Sequence, residues 1–212
     1  MRKSTIQVSV INFLLALVFA SCATQNVVKD YGPVPLKDTI FSNQYFANPA
    51  TDYVYKTNIT VYGNELTGIF IAKKINETTH RVVFTTEFGN KLFDFEISES
   101  DFKVNSIVDD LNRKIIVNTL KSDFRLLLRK QFYVNKQFEN ETDRIFKAAD
   151  GKRYNYLFTS KADDKLYKIV HSSKRKQKLD ISFESGNNVV ASRIVIRHQN
   201  IKLRIELNYL NP

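Results

Sequence analysis

The stretch that decides the fold class is Ile201-Lys-Leu-Arg-Ile-Glu-Leu-Asn-Tyr209, close to the C-terminus. Every second residue from Ile201 to Tyr209 is apolar or aromatic, and the residues between them are polar or charged. Successive side chains of a strand point to opposite faces of a sheet, so this alternation predicts a strand with one buried face and one wet face. Such strands are typical of an antiparallel sheet that is covered on one side.

Strand periodicity recurs through the chain and brings the predicted total to about ten strands. Residues 53–62 and 65–75 are joined by Gly63-Asn64, which is a hairpin signal. Residues 81–86 and 91–97 form a second pair across Glu87-Phe88-Gly89-Asn90. The other predicted strands are residues 144–148, 154–159, 166–171, 178–183, 189–198 and 201–209.

Helical spacing of apolar residues is confined to a few segments. Residues 37–45 predict a short helix, residues 107–120 predict a longer one, and Ser122 can cap a third that continues to residue 128. Residues 131–142 predict a polar connection. The sequence therefore predicts a mainly β (α+β) domain over residues 37–212, with an antiparallel sheet curled over helices.

The N-terminus has the pattern of a targeting signal. Arg2 and Lys3 precede an apolar run over residues 10–20, which ends in Phe19-Ala20-Ser21-Cys22. The run is too short to span a bilayer, but it fits the apolar region of a signal peptide. Its end resembles a bacterial lipobox, which implies a signal peptide over residues 1–21, a lipid anchor on Cys22 and a tether over residues 22–36. The alternative is an ordinary cleaved signal followed by an unrelated cysteine.

The predicted anchor fixes the expected compartment. A lipobox implies export to a bacterial envelope, and Ala23 after the cysteine implies, by the same resemblance, the outer membrane. The chain has 32 Lys and Arg against 22 Asp and Glu, a formal net charge of +10. Because an exported protein does not meet nucleic acid, we expect this positive charge to bind anionic membrane lipid or an acidic protein.

The sequence lacks the usual signatures of catalysis. A single cysteine excludes an intramolecular disulfide and thiolate metal sites. His80, His171 and His198 are not at metal-binding spacing, and the chain has neither a phosphate-binding glycine loop nor a G-x-S-x-G motif. The pairs Asp109-Asp110 and Asp163-Asp164 are interpreted as solvated charge. We therefore expect no catalytic residue, no metal and no cofactor, unless folding brings titratable groups together in a cleft.

The order of elements resembles that of the LolA/LolB family of lipoprotein carriers and receptors. Residues 81–90 look like the strand and turn where LolB-type proteins carry Pro-Leu-Gly, and residues 201–207 look like the last strand of the family. The chain departs from the family in having no tryptophan. The resemblance implies a curved, incomplete antiparallel barrel lidded by helices. It also implies lipoprotein acyl chains as cargo, a LolA-like periplasmic carrier as a partner, and a location on the periplasmic face of the outer membrane.

The same resemblance implies that Phe88 is a turn residue that inserts into the membrane and helps to deliver cargo. Turn tips are normally polar, and burying a Phe side chain contributes about 1.5–3 kcal/mol. The alternative is that the Phe88 ring folds back onto the edge of the sheet.

The apolar faces of the predicted strands permit two interpretations. They can fill a solid core or line a cavity for acyl chains, and the resemblance favours the cavity. The candidate acyl-binding residues are Phe70, Phe84, Phe93, Phe95, Ile181, Phe183, Ile194, Ile196, Leu203 and Ile205.

A different class of function stays open. A lipoprotein with a solid core could act as a structural adaptor that docks a protein partner through a basic face around Arg193, Arg197 and Arg204. The densest basic run, residues 174–178, is either a solvated hairpin tip or a contact for phosphate headgroups or an acidic carrier.

Overall fold

The computed structural model describes residues 27–187 and 189–210, so the predicted signal peptide and Cys22 lie outside the described residues. These residues form fourteen strands, one 3-10 turn at Asp109–Leu111 and one α-helix, α1 (Lys114–Leu128). The strands are β1 (Gly32–Val34), β2 (Ile40–Ser42), β3 (Asp52–Val61), β4 (Asn64–Lys74), β5 (His80–Thr85), β6 (Lys91–Ile97), β7 (Phe102–Ile107), β8 (Gln131–Glu139), β9 (Asp143–Asp150), β10 (Arg153–Ser160), β11 (Leu166–Ser172), β12 (Gln177–Glu184), β13 (Arg193–His198) and β14 (Leu203–Tyr209).

The strands form one open antiparallel sheet in the order β1-β8-β9-β10-β11-β12-β13-β14-β3-β4-β5-β6-β7, with β2 also paired to β8. The sheet does not close into a barrel, because β1 and β7 remain at its two ends. Helix α1 follows β7 and precedes β8, so it connects the two ends of the sheet. The predicted fold class is confirmed, with fourteen strands among the described residues instead of about ten.

Helix α1 lies across the inner face of the sheet. The Phe124 ring packs against Phe70 on β4 at 5.2 Å and against Phe93 on β6 at 6.0 Å between ring centroids. Asp123, the preceding helical residue, contacts His198 on β13. A helix can touch strands so far apart in one sheet only if the sheet curves around it. The inner face and α1 therefore enclose the main apolar core.

Two predictions for segments near one end of the sheet are wrong, namely the short helix over residues 37–45 and the polar connection over residues 131–142. Residues 37–45 contain the strand β2 and not a helix, and residues 131–142 contain β8 and not a connection. On β8, Phe132 and Val134 are buried, but Gln137 occupies a buried position too, which weakens the alternation in the sequence. The two predicted helices over residues 107–128 are one helix that begins at Lys114, because residues 102–107 extend the sheet as β7.

Part of the predicted tether belongs to the folded domain. Val27, Val28 and Tyr31 pack on an apolar cluster outside the main core, and β1 pairs with β8. Burial of apolar surface holds this segment in place, because its side chains cover the buried residues Ile145, Tyr156, Phe158 and Val170. The tether predicted over residues 22–36 therefore meets the sheet by residue 27.

The two edge strands are poor templates for further pairing. Strand β1 has three residues, includes Pro33 and is followed by Pro35. Strand β7 exposes Lys103 and Asn105. Short strands, prolines and charged side chains are the usual means of protecting a sheet edge. Within residues 27–187 and 189–210, no helix is long and apolar enough to cross a bilayer.

Candidate functional site

The ten predicted acyl-binding residues come together on the inner face of the sheet. Nine are buried in the main core, and Leu203 is partly buried against it. The rings of Phe93 and Phe95 stack at 4.5 Å, and Phe84 packs on Phe93 at 5.4 Å. Side chains of α1, with Phe124 at their centre, occupy the space above these rings. An acyl chain can therefore enter this space only if α1 moves.

A buried polar pair joins α1 to the sheet. The Nε2 atom of His198 lies 2.8 Å from Oδ2 of Asp123, and the Asp123 side chain is 1% exposed. Burial raises the pKa of the Asp123 carboxyl, while the hydrogen bond from His198 acts in the opposite direction. Removing one partner of such a pair leaves an uncompensated buried group, which is costly. The pair therefore acts as a clasp that holds α1 against β13.

A cleft of about 1040 Å³ opens between α1 and the ends of strands β9 to β13. Leu126 of the helix and Leu179 of β12 line the cleft and also belong to the main core. Lys114, Lys152 and Lys178 lie around the cleft. The cleft is thus a polar opening next to the apolar interior, on the side of α1 that faces away from Phe70 and Phe93.

Titratable residues also meet inside this cleft. The Nδ1 atom of His171 lies 2.7 Å from Oδ1 of Asn155 and 3.9 Å from Oδ2 of Asp150. Burial lowers the pKa of His171. Among the described residues, neither His171 nor His198 is hydrogen-bonded to a serine, threonine or cysteine side chain. The pairing of a base with a nucleophile that covalent catalysis requires is therefore not formed by these histidines. The third histidine, His80, instead contacts the backbone carbonyl of Phe46 at 2.9 Å.

Phe88 protrudes from the turn between β5 and β6. Its side chain is 96% exposed, so the ring does not fold back onto the sheet edge. The turn is ordered by its own hydrogen bonds, in which the Thr86 amide donates to Asn90 O at 2.8 Å and the Gly89 amide donates to Thr86 O at 3.0 Å. Gly89 has a φ of +87°, which a glycine adopts without strain. The chain therefore holds a large apolar ring out into water.

A buried carboxylate fixes the strands that carry this turn. Asp94 on β6 accepts hydrogen bonds from Arg81 Nη2 at 2.6 Å, from Lys91 Nζ at 2.9 Å and from Asn105 Nδ2 at 3.3 Å. These hydrogen bonds, with that of Arg81 the strongest, hold the pKa of Asp94 well below its ordinary value. The carboxylate ties β5, β6 and β7 together directly beneath the Phe88 turn.

The basic face predicted for a protein partner is largely neutralised. Arg193 forms ion pairs with Glu184 and Glu206 at 3.0 Å each, and Arg204 pairs with Glu206 as well. Only Arg197 of the three predicted arginines has no carboxylate partner among the described residues. The basic run, in contrast, does lie at a hairpin tip, where residues 173–176 connect β11 to β12.

Sequence reasoning missed two features of the site. One is the Asp123–His198 clasp, whose members are 75 positions apart and carry no local signal. The other is Tyr62, which is 65% exposed at the turn between β3 and β4. Tyr62 has a φ of +49°, a left-handed conformation that is uncommon for residues other than glycine and asparagine. An aromatic residue directly before Gly63 in a hairpin was the available signal for it.

Comparison with known proteins gives the fold and little else. No protein-family model and no curated protein matches the sequence. Among solved structures, a LolA superfamily protein from Nitrosomonas europaea is similar with a TM-score of 0.51 and 10% identity, over 78% of this chain and 87% of that one. A DUF1329 family protein from Desulfovibrio piger has a TM-score of 0.43 and 8% identity, over 78% and 86% of the two chains. An outer membrane lipoprotein-sorting protein domain from Vibrio parahaemolyticus has a TM-score of 0.44 and 9% identity, over 76% and 83%. The first of these similarities shows that the chain has a LolA-like fold.

Proposed function

We propose that this chain, which has a LolA-like fold, is an envelope lipoprotein that binds acyl chains of lipoproteins or lipids and helps to insert them into the outer membrane. The observation that carries the proposal is the single helix clasped across the apolar inner face of an open, curled sheet. The helix connects the two ends of the sheet, and its movement would expose the ten inner apolar residues together. The similarity to the LolA superfamily structure supports the fold, and we infer the function from that fold.

The proposed steps need neither covalent chemistry nor a cofactor. An acyl chain enters from the cleft beside Leu126 and Leu179 and displaces Phe124 from the inner face. Displacement of α1 breaks the clasp between Asp123 and His198. The chain leaves near Phe88, whose exposed ring contacts the bilayer. Cys22 carries the lipid anchor on the periplasmic face, and a LolA-like periplasmic carrier supplies the cargo.

The packed state of the interior supports a second candidate. If α1 never leaves the sheet, the side chains that fill the space beneath it make the molecule a solid β-protein. The function would then be that of a structural or adaptor lipoprotein with a protein partner. The two candidates differ in one respect that can be measured, which is whether the inner face ever becomes accessible to an acyl chain.

Acyl binding to a variant with a weakened clasp distinguishes the candidates. In His198→Ala, Asp123 is left buried without its imidazole partner, which favours the state in which α1 has moved away. The apparent affinity of a carrier rises as its binding-competent state becomes more populated. An unsatisfied buried polar group costs about 1–3 kcal/mol, so we expect parinaric acid, a fluorescent fatty acid, to bind roughly ten-fold more tightly.

The matched control is Arg197→Ala, the neighbouring position on the outer face of β13, which should leave the affinity unchanged. Native mass spectrometry of the protein isolated from membranes should also detect bound acyl lipid. Lipid-free protein that binds no parinaric acid in either variant would overturn the carrier function and leave the adaptor.

A further inference from the structure

Five hairpin turns follow one another along one rim of the sheet. They are residues 151–152, 173–176, 199–202, 62–63 and 86–90, and they close the β9–β10, β11–β12, β13–β14, β3–β4 and β5–β6 hairpins. Each hairpin is hydrogen-bonded to the next, so the turns form a continuous row. Ten strands at about 4.8 Å spacing give the row a length of about 40 Å. We call this row the basic rim.

The charge of the basic rim is strongly one-sided. Its turns contain five cations and one carboxylate, a net charge of +4; the cations are Lys152, Lys174, Arg175, Lys176 and Lys202. None of the five forms an ion pair with a carboxylate in the part of the chain that the structure describes. The one carboxylate, on Glu87, is paired with Lys56 at 3.2 Å.

The turns at the other ends of the strands, which we call the acidic rim, have the reverse charge, and one of them, residues 98–101, reaches the cleft, where Glu99 and Asp150 both pair with Arg129. The turns of the acidic rim are residues 75–79, 98–101, 140–142, 161–165 and 185–192, and they carry six carboxylates and two lysines, a net charge of −4. The formal net charge of the chain is spread along the sequence, but the strand register sorts it between two rims. A charge distribution of this kind orients a molecule in front of a charged surface.

The basic rim also holds exposed aromatic rings. Phe88 and Tyr62 protrude from neighbouring hairpins, and Lys202, in the next turn at residues 199–202, lies beside Tyr62. A depression of about 780 Å³ lies between the turns at residues 62–63 and 199–202, and Tyr62, Arg197 and Lys202 line it. Rings beside unpaired cations suit the headgroup level of a bilayer, where one part of the surface is apolar and the other is wet and anionic.

We propose that the basic rim docks on a bilayer that contains anionic phospholipid, with Phe88 and Tyr62 at the headgroup level and the acidic turns at residues 75–79, 140–142 and 161–165 turned away. A bilayer fits better than an acidic protein, because the cations and rings extend over a long front and are not gathered in one pocket. The docking deepens the proposed function, on which it rests for the contact of Phe88 with the bilayer, but it requires no cargo and no movement of α1. The docking specifies anionic phospholipid as the lipid class that the molecule binds and the basic rim as the surface that binds it.

The test measures vesicle binding of a chain that starts at Ala23, which keeps every described element and lacks the lipid anchor. Vesicles of phosphatidylcholine with phosphatidylglycerol are compared with vesicles of phosphatidylcholine alone. The rim variant is Lys174→Ser/Arg175→Ser/Lys176→Ser, whose side chains are all exposed. The control variant is Lys29→Ser/Lys37→Ser/Lys136→Ser, which removes the same charge from exposed positions outside the basic rim.

We expect the unsubstituted chain to bind the anionic vesicles preferentially. Loss of one cation near an anionic membrane surface weakens binding roughly five-fold, so the rim variant, which loses three, should bind roughly 100-fold more weakly. Binding should also weaken between about 0.1 M and about 1 M salt, as the Debye length shrinks from about 10 Å to about 3 Å. The control variant should lose only a few-fold in affinity through the change in overall charge.

Two results would overturn the docking proposal. One is equal binding to both kinds of vesicle, or no binding to either, which leaves an acidic protein as the partner of the rim. The other is an equal loss in the rim and control variants, which would mean that only net charge matters. Parinaric acid binding, measured on the same variants, should be unchanged by the rim substitutions, so failure of the docking proposal is distinguishable from failure of the carrier function.

Discussion

Replacing Phe88 by serine removes the most exposed large apolar side chain of the described residues, at 96% exposure, without disturbing the core. The ring makes no packing contact that folding depends on, so the free energy of unfolding should change by less than about 0.5 kcal/mol. Transfer of a Phe side chain from water into an apolar environment contributes about 1.5–3 kcal/mol. We therefore expect Phe88→Ser to weaken binding to anionic vesicles by roughly 10- to 100-fold.

The assay is vesicle co-sedimentation of the chain that starts at Ala23, because a lipid anchor would mask the contribution of one ring. The matched control is Ile75→Ser, which removes an exposed apolar side chain from a hairpin turn on the acidic rim. Ile75→Ser should retain the affinity of the unsubstituted chain. Thermal unfolding of both variants checks that neither substitution disturbs the fold.

Unchanged vesicle affinity of Phe88→Ser, at unchanged stability, would refute the assignment of this ring to the membrane. An equal loss in Ile75→Ser would refute it too, because it would show that any exposed apolar side chain contributes regardless of its place. If vesicle binding falls but delivery of acyl cargo by the anchored protein does not, Phe88 contributes to docking and not to release.

Three further predictions concern the stability of the site and its anchorage. Asp94→Asn should lower the free energy of unfolding by about 2–3 kcal/mol at neutral pH. Because the folded state lowers the Asp94 pKa from 3.8, this difference should begin to shrink below pH 3.8 and be lost only as the pH falls through the lowered pKa of the folded state, as denaturant titrations at several pH values can check. Gly68→Ala should lower the free energy of unfolding by about 2–3 kcal/mol, because an added Cβ would lie 2.1 Å from Thr85 O. Gly186→Ala, which has open space around its Cβ position, should leave the stability unchanged, as thermal unfolding of both variants can check. Cys22→Ser should move the protein from the membrane fraction to the soluble envelope fraction, and its recovery in membranes at normal levels would contradict the lipid anchor.

The strands that the sequence predicts well are those with a full period-two alternation. Residues 91–97 are predicted with the bounds that β6 has in the structure, and the terminal alternation over residues 201–209 becomes β14 from Leu203. Both strands lie inside the sheet, with a partner on each side. In such strands the buried face must be apolar along its whole length, so the pattern in the sequence is complete.

The strands that the sequence missed lie towards the ends of the sheet. Strand β7 is exposed over most of its length, and β8 buries Gln137 among its apolar positions. Strands β1 and β2 have three residues each, which is too few for a period to be recognised. The spacing of Ile40, Phe41 and Tyr45 favoured a helix over residues 37–45, and pairing of β2 with β8 overrode it.

The candidate site was predictable only where it is local. The ten inner residues follow from strand alternation, and the exposure of Phe88 was one of two alternatives that a large ring in a short turn allows. Whether those residues enclose space depends on the volume that α1 fills, which no periodicity records. The charge of the two rims could not be predicted either, because it appears only when the register places residues 152, 174–176 and 202 on the same side of the sheet.

If the chain is anchored as we propose, the protected edges of the sheet have a consequence at the membrane surface. Anchored molecules are confined to two dimensions, where they meet one another far more often than in solution, and an unguarded strand would then recruit its neighbours into aggregates. Pro33 and Pro35 prevent further strand pairing at the β1 edge, and the exposed side chains of Lys103 and Asn105 disfavour it at the β7 edge. Under the proposed anchoring, the sheet can therefore stay open and accessible to cargo although the molecules are crowded.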